Sequence, residues 1–355
     1  MNWILKYLIV LLTVTIFYSC KTSENEHKLK RSAKGYFPKE INIHFTNDFK
    51  IKGALIRQIF PYKGNLIFHD LNVTKNYFFH QYSLKEKKII GSYIKKGTKK
   101  GEALGGFMSG IYNNNIIWFH DLTLSRLVTT KISSYSLKYD TTKVNQFKLP
   151  RHYYSIQMFD SITLFGFGSN HTKEKIQMLK LNSLNNETNL FGKFESFPKN
   201  IPYYASKKAY EGLLYLKPNN EKLVVAYIYT DKVEIFDLKT NKTILVYGPE
   251  NFEPDFTPIM KYGLQDIILG EKTKFGFVNG CTTDKYIYLL YSGKSIFGKN
   301  ADQSNSIYVY DWSGNPIKKM QFKENISSFT ILNNDSEIYV FDPQTQFLLS
   351  AKMPQ

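Results

Sequence analysis

Cysteine is nearly absent: the 355 residues contain two, Cys20 and Cys281. A disulfide framework is excluded, and a chain of this length can build a core without one. Long apolar runs are scarce as well. The run Tyr7–Tyr18 holds about twelve residues, where a bilayer-spanning helix needs ~20. Clustered charge of one sign is also missing. The formal charge is +17, but no run of five basic residues occurs, and Lys95-Lys96 with Lys99-Lys100 is the densest basic group. No nucleic-acid partner is therefore expected. The motifs of common catalytic machinery are absent too. Gly106-Phe107-Met108-Ser109-Gly110 lacks the spacing of a nucleophile elbow. His171-Thr172-Lys173-Glu174 lacks the second histidine of a zinc helix, and Gly166-Phe167-Gly168-Ser169-Asn170 lacks the third glycine of a dinucleotide loop. Asn300, Asp302 and Ser304 alternate like the start of a calcium loop, but Asn305 replaces its glycine and Asp311 its bidentate glutamate. A polar hairpin loop is expected there.

What is present begins at the N-terminus. Lys6, the apolar Tyr7–Tyr18 and then Ser19-Cys20 follow the order of a secretory signal peptide. The cut before a cysteine resembles the bacterial lipoprotein signal, with Phe17 where an aliphatic residue is usual. That resemblance implies a signal peptide over residues 1–19 and a lipid, palmitate included, on Cys20. Lys21 follows the cysteine in place of the aspartate of inner-membrane retention. The expected location is thus the outer membrane, on its periplasmic face or at the cell surface. Residues 20–36 are polar, bury too little surface to fold alone and read as a flexible tether. The folded domain is expected over residues 37–355. Cys281, beside Phe275-Gly276-Phe277-Val278, is expected to be a small buried apolar residue and not a nucleophile.

The folded part has few helical signatures and many short runs of β-branched and aromatic residues between Asn, Asp, Gly, Lys and Ser, the pattern of an all-β fold. Internal repetition narrows it. Phe68-His69-Asp70-Leu71 recurs as Phe119-His120-Asp121-Leu122. Related strands return at Ser161–Phe165, Lys222–Tyr227, Lys285–Leu289 and Glu337–Phe341. Six copies at roughly 45–65 residue intervals, with several strands each, are the signature of a six-bladed β-propeller of four-stranded antiparallel blades. Val233–Leu238 and Ile307–Trp312 each end in an Asp followed by turn formers, so Asp237, Asp311 and Asp342 are expected to bond turn backbone. The last repeat runs out of chain after three strands. The lone N-terminal strand Glu40–Phe45 is expected to complete it and close the ring.

With these repeats and the lipoprotein signal, the chain resembles the TolB-like six-bladed β-propeller lipoproteins of Gram-negative bacteria. Gly97-Thr98-Lys99-Lys100-Gly101-Glu102 is similar to a Gly-Glu turn between the first and second blades of such propellers, which more often carry Gly-Pro at the place of Lys100-Gly101. The resemblance spans about residues 37–355. It implies the fold and brings no catalytic residues with it.

Two groups of side chains are candidate sites. His69 and His120 hold equivalent places in adjacent repeats, so they could converge on a metal, although a metal site usually needs three ligands. Arg57, and Arg151 with His152, Tyr153 and Tyr154, lie on segments leading into blades, as do Tyr203-Tyr204 and Lys207-Lys208. Basic groups among tyrosines suit an anionic or sugar-like ligand. The expected function is a non-enzymatic binding or scaffold module for a protein, peptide or glycan, monomeric and without a cofactor. The alternative is a lyase or hydrolase working on a sugar or peptide in the channel. A third reading, an adhesin for anionic surfaces, predicts steep salt dependence. Convergence of His69, His120 and a carboxylate would favour the enzyme, whereas a channel lined by Lys, Tyr and Asn would favour binding.

Overall fold

Six strands with a central apolar run are buried over nearly their whole length: Asn65–Asp70, Ile116–Asp121, Thr163–Phe167, Lys222–Tyr227, Tyr286–Tyr291 and Glu337–Asp342. Each is buried from its second residue onward or throughout. A strand reads this way when both faces of its sheet are covered. In the computed structural model each is the second strand of a radial blade packed between two neighbours. The structure describes residues 28–30, 36–132, 140–150, 152–168, 174–181, 187–193, 201–332 and 334–354.

Blade 1 consists of Ile56–Tyr62, Asn65–Asp70, Tyr77–Ser83 and Lys88–Lys96, and blade 2 of Ser109–Tyr112, Ile116–Asp121, Arg126–Lys131 and Val144–Lys148. Ser155–Met158, Thr163–Phe167, Glu174–Lys180 and Glu187–Lys193 form blade 3; Gly212–Leu216, Lys222–Tyr227, Val233–Asp237 and Thr243–Val246 form blade 4. Blade 5 contains Phe277–Thr282, Tyr286–Tyr291, Ser304–Asp311 and Pro316–Ile326. Blade 6 contains Ser328–Ile331, Glu337–Asp342 and Phe347–Lys352, with Thr46–Lys50 as its fourth strand. Six apolar clusters form the core, one for each interface between neighbouring blades.

The N-terminal strand does join the last blade, but with other residues than expected. Thr46–Lys50 runs antiparallel to Phe347–Ser350, whereas Glu40–Asn42 lies parallel to Lys319–Gln321 at the edge of blade 5. The physical reason is the alternation of Ile41 and Ile43, which buries both in the core between blades 5 and 6. Thr46–Lys50 is too polar to read as a strand; Phe49 anchors it, stacked on Tyr82 at 4.8 Å, with Asp48 paired to Lys87 and Thr46 Oγ1 donating to Ser350 O at 3.2 Å. Within the expected tether, Lys28–Lys30 pairs in parallel with Ile244–Val246 of blade 4. Among the described residues no helix is long and apolar enough to cross a membrane.

The ends of the ring differ. Strands one and two, and strands three and four, connect at the lower end, as through the two-residue turn Lys63-Gly64 of blade 1. The upper end carries the connections from strand two to three and from each blade to the next. Two insertions sit there: the helix Tyr203–Ala209 before blade 4, and the hairpin Phe256–Lys261 with Leu264–Leu269 before blade 5. Lys208 of the helix pairs with Asp266 of the hairpin.

Candidate functional site at the upper mouth of the channel

The six innermost strands enclose a channel of about 470 Å³. Its wall includes Gln58, Tyr112, Gln157, Tyr215, Lys217, Cys281, Thr282 and Thr330, with Asn113, Asn114 and Asn220 toward the lower end. No histidine or carboxylate lines it among the described residues. Hydrogen bonds between blades hold the wall. Ser109 Oγ donates to Gln58 Oε1 at 2.6 Å, Thr282 Oγ1 to Leu216 O at 2.8 Å, and Asn279 Nδ2 to Arg57 O at 2.8 Å. Gly280 leaves room for the Tyr215 ring, since a Cβ there would stand 2.9 Å from Tyr215 Cζ.

Charge gathers at the upper mouth. Arg57 precedes Gln58 on the first strand of blade 1, where the register shifts between Ile56 and Gln58. Its backbone carbonyl is bonded, while its guanidinium has no hydrogen bond or ion pair with a described residue. Burial lowers the guanidinium pKa, and Tyr215, Asp302 and Glu211 oppose that shift electrostatically. Glu211 stands just before the first strand of blade 4. Burial pushes its carboxyl up to about 7, against the pull of Lys208 and Arg57. Tyr229 is raised to about 12, by burial and then by Glu211. Burial, and after it the Lys208 ammonium, lowers the pKa of His152. Arg57, Tyr215, Glu211, Lys208, His152 and Tyr229 thus form one electrostatically linked group.

The profile of the TolB-like 6-blade propeller-like family matches residues 56–334. The chain belongs to this family. No curated protein matches this TolB-like propeller. Among solved structures it is similar to a member of the DUF4221 family from Bacteroides vulgatus, at 11% identity and a TM-score of 0.52, covering 88% of this chain and 98% of that one. It is also similar to a putative exported protein from Bacteroides fragilis, at 11% identity and a TM-score of 0.51, covering 89% and 99%. At that identity these likenesses speak for the fold alone.

In the TolB-like propeller the two repeat histidines meet different neighbours. His69 is fully buried, stacks on Phe79 at 4.9 Å, and has Nδ1 2.9 Å from Ser109 Oγ. Burial, then Arg57, lowers its pKa to about 3. His120 is lowered to about 4, by burial and then by His152. No group of three His, Cys, Asp or Glu able to hold a metal occurs among the described residues. Tyr153 lies fully buried between blades 2 and 3, where its ring fills the space a side chain at Gly166 would need. Arg151 and Cys20 lie outside the described residues. Lys207 is buried, donates to Glu174 O at 3.1 Å, and is lowered to about 8 by its burial. Cys281 lines the channel half-buried, and burial pushes its thiol up to about 12, away from thiolate chemistry. The Asn300–Ser304 loop turns its carbonyls to a lysine: Lys294 Nζ lies 2.8 Å from Gln303 O and 3.4 Å from Asn300 O.

Of this group, sequence reading named Arg57, His152 and Lys208 as candidates and Asp302 as part of a hairpin loop, and did not name Glu211, Tyr215 or Tyr229. The one signal available for Glu211 was its place next to the strand Gly212–Leu216, equivalent to that of Arg57 beside its own strand.

Proposed function

We propose that this chain is an exported, lipid-anchored binding or scaffold module that takes a protein, peptide or glycan on the upper end of its ring. One observation carries the reading. Among the described residues thirteen large hydrophobic side chains are exposed, and all but Tyr36, Ile89 and Ile162 lie on upper-end connections. Leu55, Phe107, Leu124 and Phe297 lie on loops of blades 1, 2 and 5 at this end, and the inserted hairpin adds Met260, Tyr262, Leu264 and Ile268. Apolar side chains concentrated on one end of a ring mark an interaction face. A channel lined by Tyr, Asn, Gln and Lys, without histidine or carboxylate among the described residues, supports binding over catalysis. Export and the lipid on Cys20 rest on the signal-like N-terminus.

The test immobilises three forms of the chain and exposes them to an envelope extract of the source cell. These are the native chain, a Tyr262→Ser/Ile268→Ser variant of the upper end, and an Ile162→Ser control at the lower end. The native chain and the control should retain one species about tenfold better than the upper-end variant. Equal retention by all three rejects the reading. Cys20→Ala, grown with labelled palmitate, should carry no label; a labelled variant removes the anchor.

The lyase or hydrolase reading has one observation in its favour. Glu211, near 7 beside Lys208 and Arg57, could give or take a proton at neutral pH. Turnover of a glycan or peptide that disappears in Glu211→Gln would establish it.

A further inference from the structure

We propose that the upper mouth of the channel is a receptor for a carboxylate group of the ligand, gripped by the Arg57 guanidinium with the Tyr215 hydroxyl as a further donor. The proposal deepens the binding-module reading and rests on it. Neither the guanidinium nor that hydroxyl has a hydrogen-bond partner among the described residues. Glu211 and Asp302 act on Arg57 through space, and neither bonds to it.

The same fold shows how a cation is treated when the chain itself supplies the acceptor. Between blades 3 and 4, Lys175 Nζ lies 2.7 Å from both Glu234 oxygens, and the Tyr227 hydroxyl donates to Oε2 at 2.7 Å. That buried ion pair is satisfied within the protein. Arg57 is half-buried and its guanidinium has no bonded acceptor among the described residues, and a partly desolvated charge favours a partner.

The chemistry selects a carboxylate. A guanidinium presents parallel N–H groups that match two carboxylate oxygens. Tyr215 of blade 4 packs its ring in the space at Gly280, next to Asn279, whose Nδ2 donates to Arg57 O at 2.8 Å, and offers a third donor. One positive charge suits a monoanion, whereas a dianionic phosphate would bring surplus charge toward Glu211 and Asp302. The wall below carries no acidic side chain to repel the entering group.

The test is calorimetry on the full-length chain in mild detergent. The probes are three matched pairs: acetate against acetamide, glucuronate against glucose, and N-acetyl-trialanine with a free C-terminus against its amide. In at least one pair the acid should bind about tenfold more tightly than its neutral twin. Preference within the acetate pair alone marks a small free acid as the source. Preference in the other pairs marks a glycan or a peptide end. Arg57→Gln should abolish the preference, Arg57→Lys should keep part of it, and Tyr215→Phe should weaken the acid about threefold. Equal binding within every pair, no binding up to ~10 mM, or an unchanged preference in Arg57→Gln overturns the proposal. Extract capture that depends on Tyr262 and Ile268 but not on Arg57 would sink this inference and leave the binding module standing.

Discussion

His69, His80 and His120 are neutral in the folded state, with burial as the largest cause, and have pKa values lowered to about 3, about 4 and about 4. Their ordinary value is 6.5. Between these limits the unfolded chain binds more protons than the folded one, so stability rises with pH through that window. The contribution is complete above pH 6.5 and is lost as pH falls toward 3 to 4. Melting temperatures from pH 7.5 down to 4.5 should fall for the native chain and fall less steeply for His69→Gln. Parallel slopes would assign the acid sensitivity to other groups. At this scale the sequence placed the two repeat histidines at equivalent positions, and the structure gives them different neighbours. Side-chain packing decides that: Phe79 and Ser109 enclose His69, whereas His120 lies near His152.

Turns were legible at the scale of elements. Asp237 accepts from the N–H groups of Lys239 and Thr240, Asp311 from Ser313 and Asn315, and Asp342 from Gln344 and Thr345, as the strand-Asp-turn pattern predicts. The repeated His-Asp pairs do a further job that sequence reading left open. The buried Asp121 carboxylate accepts from Leu104 and Gly105, on the loop entering blade 2, and pairs with Arg126 at 3.0 Å. Asp70 does the same for blade 1 through Leu55, with Lys75 at 2.7 Å. Burial alone would raise the Asp70 carboxyl, but the Lys75 ammonium and the N–H groups of Leu55 and Asn72 hold it below the usual range. Asp121→Ala leaves buried donors unpaired and should cost about 2–4 kcal/mol, against less than ~1 kcal/mol for the exposed turn variant Asp311→Ala. Urea midpoints of the two variants check the ranking. The inserted hairpin before blade 5 was not anticipated, because Phe256–Leu269 has the composition of any strand pair and only its lack of blade partners sets it apart.

On the scale of the whole molecule, closure is the decisive contact, because it makes the first described strands and the last ones a single object. Phe49→Asp should loosen Thr46–Lys50 from blade 6, remove the stack on Tyr82 and lower stability by about 2 kcal/mol. Its urea unfolding should remain one transition with a lower midpoint; an unchanged midpoint would show that closure adds little. Periodicity by itself determined the six-bladed, all-β ring, because a strand buried on both faces must be apolar along its length and therefore repeats visibly in a linear chain. The basic and tyrosine content of the segments leading into blades also named Arg57 as a candidate ligand contact. The tertiary structure decided which N-terminal strand closes the ring, and it brought Arg57, Tyr215 and Glu211 together at one mouth. These residues lie on blades 1 and 4, far apart in sequence. Their approach is set by the ring's closure around its axis, a long-range constraint that no local pattern of residues encodes.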